Sequence, residues 1–302
     1  AAFGDAPGIP VTVLDSTHPD AVQRWLTTLN LAETGFIFSM KKWALETYSL
    51  FKYFYTVLED ALGAVEAAKR FIAITDVGAW VAPYAEKMGF QHVFYNDPYV
   101  GGRYAALSHV GLFPAALRGI SLHDLLDRAD FALARCHSQQ IAPDENAGAW
   151  LGAVIGGLAQ AGRDKLTFIA SESLEGWLAW VEQLIAESTG KSGTGILPVI
   201  EPPAADPNEY GQDRVFVMLE DVRRDDLAFT QQRDALIIAG HPVIHIRLRD
   251  AYDLGAQFAY WEFAVAVAGH ILGIQPFDQP DVESAKIAAG RVLDDYQRFG
   301  RL

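Results

Sequence analysis

The chain has 302 residues, half of them hydrophobic, which is enough to bury a large core in one large or two medium domains. It carries 38 Asp and Glu against 24 Lys and Arg, a formal net charge of -14, and shows no Lys/Arg-rich run, which argues against a duplex-binding protein. The single Cys136 excludes an internal disulfide and a cysteine-rich metal site, and the lack of a long apolar run or basic leader predicts a cytoplasmic protein.

Short β-rich runs alternate with longer helical patterns along the chain. Strands are predicted over 11–15, 35–39, 70–75, 92–97, 165–171, 195–200, 214–219 and 242–248. Helices are predicted over 45–62, 104–117, 122–134, 147–160, 174–187, 225–239, 254–272 and 281–299. Continuous apolar strands separated by helices indicate parallel sheets that are covered on both faces, so the predicted class is α/β.

The predicted strands fall into two sets of four, divided by the mostly helical stretch from Tyr104 to Ala161. This division predicts two similar lobes, 1–140 and 141–302, each a parallel sheet flanked by helices in three α/β/α layers. In sheets of this kind, ligands bind beyond the carboxyl ends of the strands.

One acidic residue stands where a helix gives way to a glycine-rich turn. Glu187 ends the predicted helix over 174–187, and Ser188 to Lys191 break the chain before the next strand. A carboxylate at the edge of a cleft can be tuned by burial as a general base, although most glutamates near helix ends are solvated surface groups. A nucleotide P-loop ending at Ser192 is excluded, because Ile185 stands where that pattern needs glycine.

Two further clusters could bind an anion. Gly101 and Gly102 would let backbone N–H groups approach it beside Arg103, and the alternative is a glycine turn with an exposed arginine. Gln279 opens the last predicted helix, and Lys286 follows seven residues later, about 10 Å along the same face. This pair could span a small phosphorylated sugar, and a solvated amphipathic helix explains the same residues.

Three long motifs in order resemble the glucose-6-phosphate isomerase family. They are GGRYAALSHVGL from Gly101, WVEQLIAESTGK from Trp180, and WEFAVAVAGHILGIQPFDQPDVESAK from Trp261. The resemblance covers nearly the whole chain and is strongest to the isomerase portion of bacterial bifunctional transaldolase/glucose-6-phosphate isomerase proteins. It implies two sugar-isomerase domains, in agreement with the two predicted lobes.

The resemblance also implies a reaction: interconversion of glucose 6-phosphate and fructose 6-phosphate in glycolysis and gluconeogenesis, without metal or cofactor. By the family motifs, Glu187 is the base that shuttles a proton between C2 and C1 through an enediol. Arg103 would stabilise charge on the enediol oxygens. Lys286 is implicated in opening the sugar ring, and Gln279 would help to hold the phosphate.

The chain departs from the family pattern at the phosphate loop, where relatives carry S-K-[ST]-G-[GT]-T-x-E-T after the second strand. Here the segment over 39–47 reads SMKKWALET, which keeps a lysine and Glu-Thr but lacks the central hydroxyls and glycine. Trp43 is bulky where backbone should approach the anion, while Lys42 adds a charge. The phosphate-binding residues implied by the resemblance are Ser39, Lys41, Thr47, Gln279 and Gly102.

A second departure replaces the family's ring-opening histidine of the G-Q-H motif by Asp213, a change associated with the fusion branch. The chain also begins just after the place of an earlier G-x-G-G-S loop, so we expect it to be N-terminally truncated. The implied partners are a phosphosugar, a transaldolase domain in the full-length chain, and a second copy in a homodimer. Two alternatives stay open, a non-catalytic phosphosugar-binding or structural module and a phosphomannose isomerase.

Overall fold

A computed structural model describes residues 2–3, 7–41, 44–138, 142, 145–200, 206–224 and 226–301. Its packing divides the chain into two compact units, Ala6–Leu122 and Ala1–Asp5 with His123–Leu302. The lobe boundary near residue 140 remains a prediction. Each unit holds a parallel sheet with helices, which confirms the predicted α/β class.

The strands and helices follow the predicted alternation in most places. The strands are β1 (Phe36–Ser39), β2 (Phe71–Asp76), β3 (His92–Asn96), β4 (Lys165–Ala170), β5 (Leu197–Ile200), β6 (Arg214–Asp221) and β7 (Val243–Leu248). The helices are α1 (Pro19–Thr28), α2 (Leu45–Leu62), α3 (Ala64–Ala68), α4 (Val81–Met88), α5 (His109–Leu117), α6 (Leu122–His137), α7 (Ala147–Gln160), α8 (Glu175–Thr189), α9 (Leu227–Ile238), α10 (Asp253–Leu272) and α11 (Pro280–Phe299). None of the described helices is both long and apolar enough to span a membrane.

The sheet of Ala6–Leu122 has the order β1-β2-β3, and both pairings are parallel. Its core is rich in aromatic side chains: Phe38 stacks on Phe51 with ring centroids 4.6 Å apart, and Phe71 meets the edge of Phe51 at 5.3 Å. Aromatic pairs of this geometry stabilise a core beyond the area they bury. The β-branched and aromatic residues of β1 and β2 therefore fix the register that brings Ser39 and Asp76 to one edge of this sheet.

The strand predicted over 11–15 is wrong, because these residues form no regular element and Val13 is exposed. The backbone just before them forms hydrogen bonds with the end of α5. Gly8 N–H donates to Arg118 O at 3.2 Å and Ile9 N–H donates to Leu117 O at 2.8 Å, both at the end of α5. Alternating apolar residues favour extended backbone, but a strand also needs a neighbouring strand to pair with. The sequence predicted four strands in the first set, and the described residues of that unit form three.

The second sheet has the order β5-β4-β6-β7 and is parallel throughout. Helices α7 and α10 lie close together because α7 presents small residues to its neighbour. A Cβ atom built on Gly152 would lie 2.4 Å from Ala264 O, and one built on Gly156 would lie 3.1 Å from Ala268 Cα. Close approach of the α10 backbone therefore requires glycine at position 152.

Helix ends follow local capping chemistry. The helix predicted over 104–117 instead begins at His109, since Ser108 Oγ accepts from Val110 N–H at 3.3 Å, and a separate 3₁₀ turn spans Gly102–Tyr104. In the second unit, Gly273 ends α10 in the left-handed conformation, with φ 69°. Three helices were missed from the sequence, α1, α3 and α4.

Candidate active site

Glu187 lies in the last turn of α8, at the amino-terminal edge of the second sheet. The hydroxyl of Thr189 locates this helix end: it accepts from Ile196 N–H at 2.9 Å and donates to Ile185 O at 2.8 Å. Ile196 directly precedes β5. A helix that follows one parallel strand and leads into the next must run back to the sheet's amino edge. The expectation that the site lies at the carboxyl ends of the strands is therefore wrong for Glu187.

Glu187 and Gln279 line one cavity of about 240 Å³. Glu187 is half-buried, and its Oε1 accepts from Gln183 Nε2 at 3.1 Å, one helical turn earlier. Gln279 stands at the N-cap position of α11, directly before Pro280. The structure thus brings together two of the residues that the family motifs single out. The remaining described lining consists of Ala186, Gly190, Lys191, Pro280, Asp281 and Val282.

The turn after Glu187 is a tight two-residue hairpin turn. Lys191 and Thr194 exchange both backbone hydrogen bonds at 2.9 Å, while Ser192 and Gly193 have φ of 55° and 76°. Positive φ at both central positions is typical of a type I′ turn. The turn returns the chain towards β5.

Asp213 and Lys286 lie in more exposed surroundings. Asp213 directly precedes β6, and its Oδ2 lies 3.3 Å from Lys165 Nζ at the amino edge of the same sheet. Lys286 is exposed on α11, with Nζ 3.9 Å from Glu283 Oε1. Both side chains are accessible to a ligand, but the described lining of the cavity with Glu187 includes neither.

The carboxyl edge of the first sheet carries the residues implied in phosphate binding. Lys41 follows β1, its Nζ lies 3.2 Å from Asp76 Oδ2, and it donates a hydrogen bond to Val100 O. The Asp76 carboxylate is largely buried, and its Oδ1 has no hydrogen-bond partner among the described residues. Sequence reasoning missed Asp76, although a polar residue that ends a buried apolar strand is a recognisable signal.

The other implied residues of this unit are near the starts of helical segments. Arg103 is buried in the 3₁₀ turn, with its guanidinium carbon 5.1 Å from the centre of the Tyr104 ring. Gly102 is exposed, and a Cβ built there would meet nothing within 4 Å. Thr47 lies in the first turn of α2, whose N-cap residue Ala44 provides no side-chain cap. Lys42 and Trp43 lie outside the described residues.

A histidine that the sequence did not single out lies at the same edge. His109 Nδ1 is 3.1 Å from the Oδ1 of the buried Asn96, which also accepts from His109 N–H at 3.3 Å. Across the described ranges, no three His, Cys, Asp or Glu side chains are grouped as metal ligands would be.

Two parallel sheets flanked by helices make this chain an α/β protein, and comparison with known proteins shows what it is similar to. No family model matches the chain. A glucose-6-phosphate isomerase from Parabacteroides distasonis is 29% identical over 269 residues, which is 76% of this chain and 59% of that protein. The chain is thus a relative of the glucose-6-phosphate isomerases, as its motifs predicted. It spans about three fifths of the length of the curated relatives it matches.

Solved structures support the fold. A hypothetical protein from Thermus thermophilus has a TM-score of 0.82 and 24% identity, over 93% of this chain and 76% of that one. A glucose-6-phosphate isomerase from Chlamydia trachomatis has a TM-score of 0.76 and 18% identity, over 93% of this chain and 63% of that one. At these identities the likeness concerns the fold alone.

Proposed function

We propose that this chain is an aldose-ketose isomerase that interconverts glucose 6-phosphate and fructose 6-phosphate. The observation that carries the proposal is the cavity shared by Glu187 and Gln279, since it joins a candidate base to a candidate phosphate ligand. The sequence relatives named glucose-6-phosphate isomerase support the same reaction.

In this proposal Glu187 is the general base. Its carboxylate takes the proton from C2 of the open-chain aldose, the C–H electron pair forms the C1=C2 bond, and the C1 carbonyl oxygen becomes an enediolate oxygen. Glu187 then returns the proton to C1, with the C1=C2 electron pair forming the new C–H bond. The C2 hydroxyl proton passes to the enediolate oxygen on C1, so that C2 becomes the ketone and C1 carries the hydroxyl. Positioned acid–base groups of this kind accelerate a step by about 10²- to 10⁴-fold.

The family motifs assign the supporting roles. Arg103 is a buried cation held in a 3₁₀ turn, which suits a preorganised stabiliser of the enediolate charge. Asp213 would accept the C1 hydroxyl proton as the ring opens, and Lys286 would give a proton to the ring oxygen. Gln279 would hold the phosphate together with Ser39, Lys41, Thr47 and Gly102.

The test is a coupled assay that starts from fructose 6-phosphate and oxidises the glucose 6-phosphate formed with NADP. Glu187→Gln keeps the size of the side chain and removes the base, so kcat should fall by about 10²-fold or more. Glu182→Gln, on the same helix, is the matched control and should keep wild-type activity. Turnover that survives Glu187→Gln would refute Glu187 as the base.

A non-catalytic phosphosugar-binding or structural module is the second candidate, and one observation weakens phosphate binding and so favours the structural form. The ammonium group of Lys41 already interacts with Asp76 and with Val100 O, so it is not wholly available to a phosphate. Binding of 5-phosphoarabinonate, a mimic of the enediolate, without turnover of fructose 6-phosphate would support this candidate. Turnover of mannose 6-phosphate in place of glucose 6-phosphate would instead identify a phosphomannose isomerase.

Two partners implied by the fusion-type resemblance are part of the proposal. One is a transaldolase domain in the full-length protein, and the other is a second copy of the chain in a homodimer. Light scattering during size-exclusion chromatography of this chain gives its molar mass directly. A mass of one chain at assay concentration would contradict the homodimer.

A further inference from the structure

A buried lysine links the two segments that line the cavity. The Lys191 side chain is only 6% exposed, and a buried ammonium group is stable only when it is paired. Its Nζ donates to Ser188 O at 2.8 Å and lies 3.2 Å from Asp278 Oδ1. One cation thus contacts the end of α8 and the residue two positions before α11.

The two contacts of Lys191 are adjacent to the two candidate site residues. Ser188 directly follows Glu187, and Asp278 directly precedes Gln279. Lys191 also lines the same cavity. The Lys191 side chain therefore joins the segment that holds Gln279 to the last turn of α8.

We infer that Lys191 is a positioning residue, which acts through Asp278 to set the distance between the Glu187 carboxylate and the Gln279 amide. The inference rests on the proposed function and adds a residue pair to it. Misplacement of a reacting group by about 1 Å can cost about 10²-fold in rate, so a link of this kind affects turnover without touching substrate. If Lys191 only capped the carboxyl end of α8, its ion pair with Asp278 would have no effect on turnover.

Four variants separate these roles: Lys191→Met, Asp278→Asn, their double variant, and Lys191→Arg. We expect each of the first two to lower kcat/KM by about tenfold, the double variant to be no worse than Lys191→Met, and Lys191→Arg to recover part of the loss. Lys69→Met, which removes an exposed lysine paired with Glu66, is the control and should leave kcat/KM unchanged. Wild-type kcat/KM in Asp278→Asn, or full additivity in the double variant, would overturn the inference.

Hydrogen exchange on the same variants separates this inference from the proposed function. Loss of the link should speed exchange of backbone amides in both flanking segments, 186–190 and 281–283, whether or not the protein turns over sugar. Suppose that the wild-type protein shows no isomerase activity and that Lys191→Met still speeds exchange in both segments. This pair of results would refute the proposed function and support the link. Unchanged exchange in 281–283 would overturn the link itself.

Discussion

The Lys41 ammonium and the Asp76 carboxylate form an ion pair at the carboxyl ends of β1 and β2, with Nζ 3.2 Å from Oδ2. The two side chains are 23% and 10% exposed, so water screens them less than it screens a surface pair. Lys41 is the lysine that the family motif assigns to the phosphate. An incoming phosphate would therefore meet both an attractive and a repulsive charge.

Asp76→Asn should tighten phosphate binding. The amide keeps the shape of the side chain and removes the negative charge, so the affinity for 5-phosphoarabinonate should rise by about tenfold at low ionic strength and by less in high salt. Isothermal titration calorimetry measures this change. Asp60→Asn, at an exposed position of α2, removes the same negative charge away from Lys41 and is the control. An equal gain in affinity in that variant would assign the effect to the less negative net charge of the protein.

Gly152→Ala should destabilise the protein, because its Cβ would lie 2.4 Å from Ala264 O. Relief of this clash requires α7 and α10 to move apart, at a cost of about 1–3 kcal/mol. Gly157→Ala, on the same helix, has no atom within 4 Å of the added Cβ and should stabilise the helix by about 1 kcal/mol. Urea unfolding of the two variants measures the change in the free energy of unfolding, which should have opposite signs. Equal changes in the two variants would contradict the close packing of α7 and α10.

Glu262 should make the stability of the fold depend on pH. Burial raises the pKa of this carboxyl to about 8, from an ordinary value of 4.5. Since the unfolded chain ionises first, the free energy of unfolding falls as pH rises from 4.5 to about 8, and the contribution of the neutral carboxyl is fully present only below that range. Glu262→Gln should therefore unfold at a temperature several degrees above wild type at pH 8, and the difference should vanish towards pH 4.5.

The apolar Glu262→Met variant, which also cannot ionise, distinguishes this cause from a new hydrogen bond. Its unfolding temperature should show the same loss of pH dependence between pH 4.5 and 8. A pH profile parallel to that of wild type in both variants would contradict the raised pKa of Glu262.

Much of the fold could be predicted because its signals are local. The helices over 45–62 and 147–160 were predicted to the residue, since Gly63 with φ 82° ends the first and the Asn146 side chain caps the start of the second. The strand over 11–15 was predicted from the same kind of pattern, and it failed because pairing depends on a distant neighbour. Short α4 carries too few turns for its periodicity to be read.

The candidate site was predicted only in part, for a similar reason. The motifs indicated Glu187 and Gln279, and the structure places both in one cavity. The Lys191–Asp278 pair was not predicted, because nothing in either segment shows which distant residue will be its partner. The same holds for Asp76 and Lys41, whose contact depends on the register between two strands.

The glycines of α7 limit which substitutions this helix can accept. Gly148, Gly152 and Gly156 recur every four residues and admit α10 at close range, while a Cβ built on Gly269 of α10 would lie 3.0 Å from Pro276, two residues before Asp278. The position of α10 thus affects the position of the segment that holds Gln279. A methyl group added at Gly152 of α7, which supplies none of the described residues around the cavity, would shift one of its walls. Tolerance to substitution should therefore be low at this position, on a helix that takes no part in the chemistry.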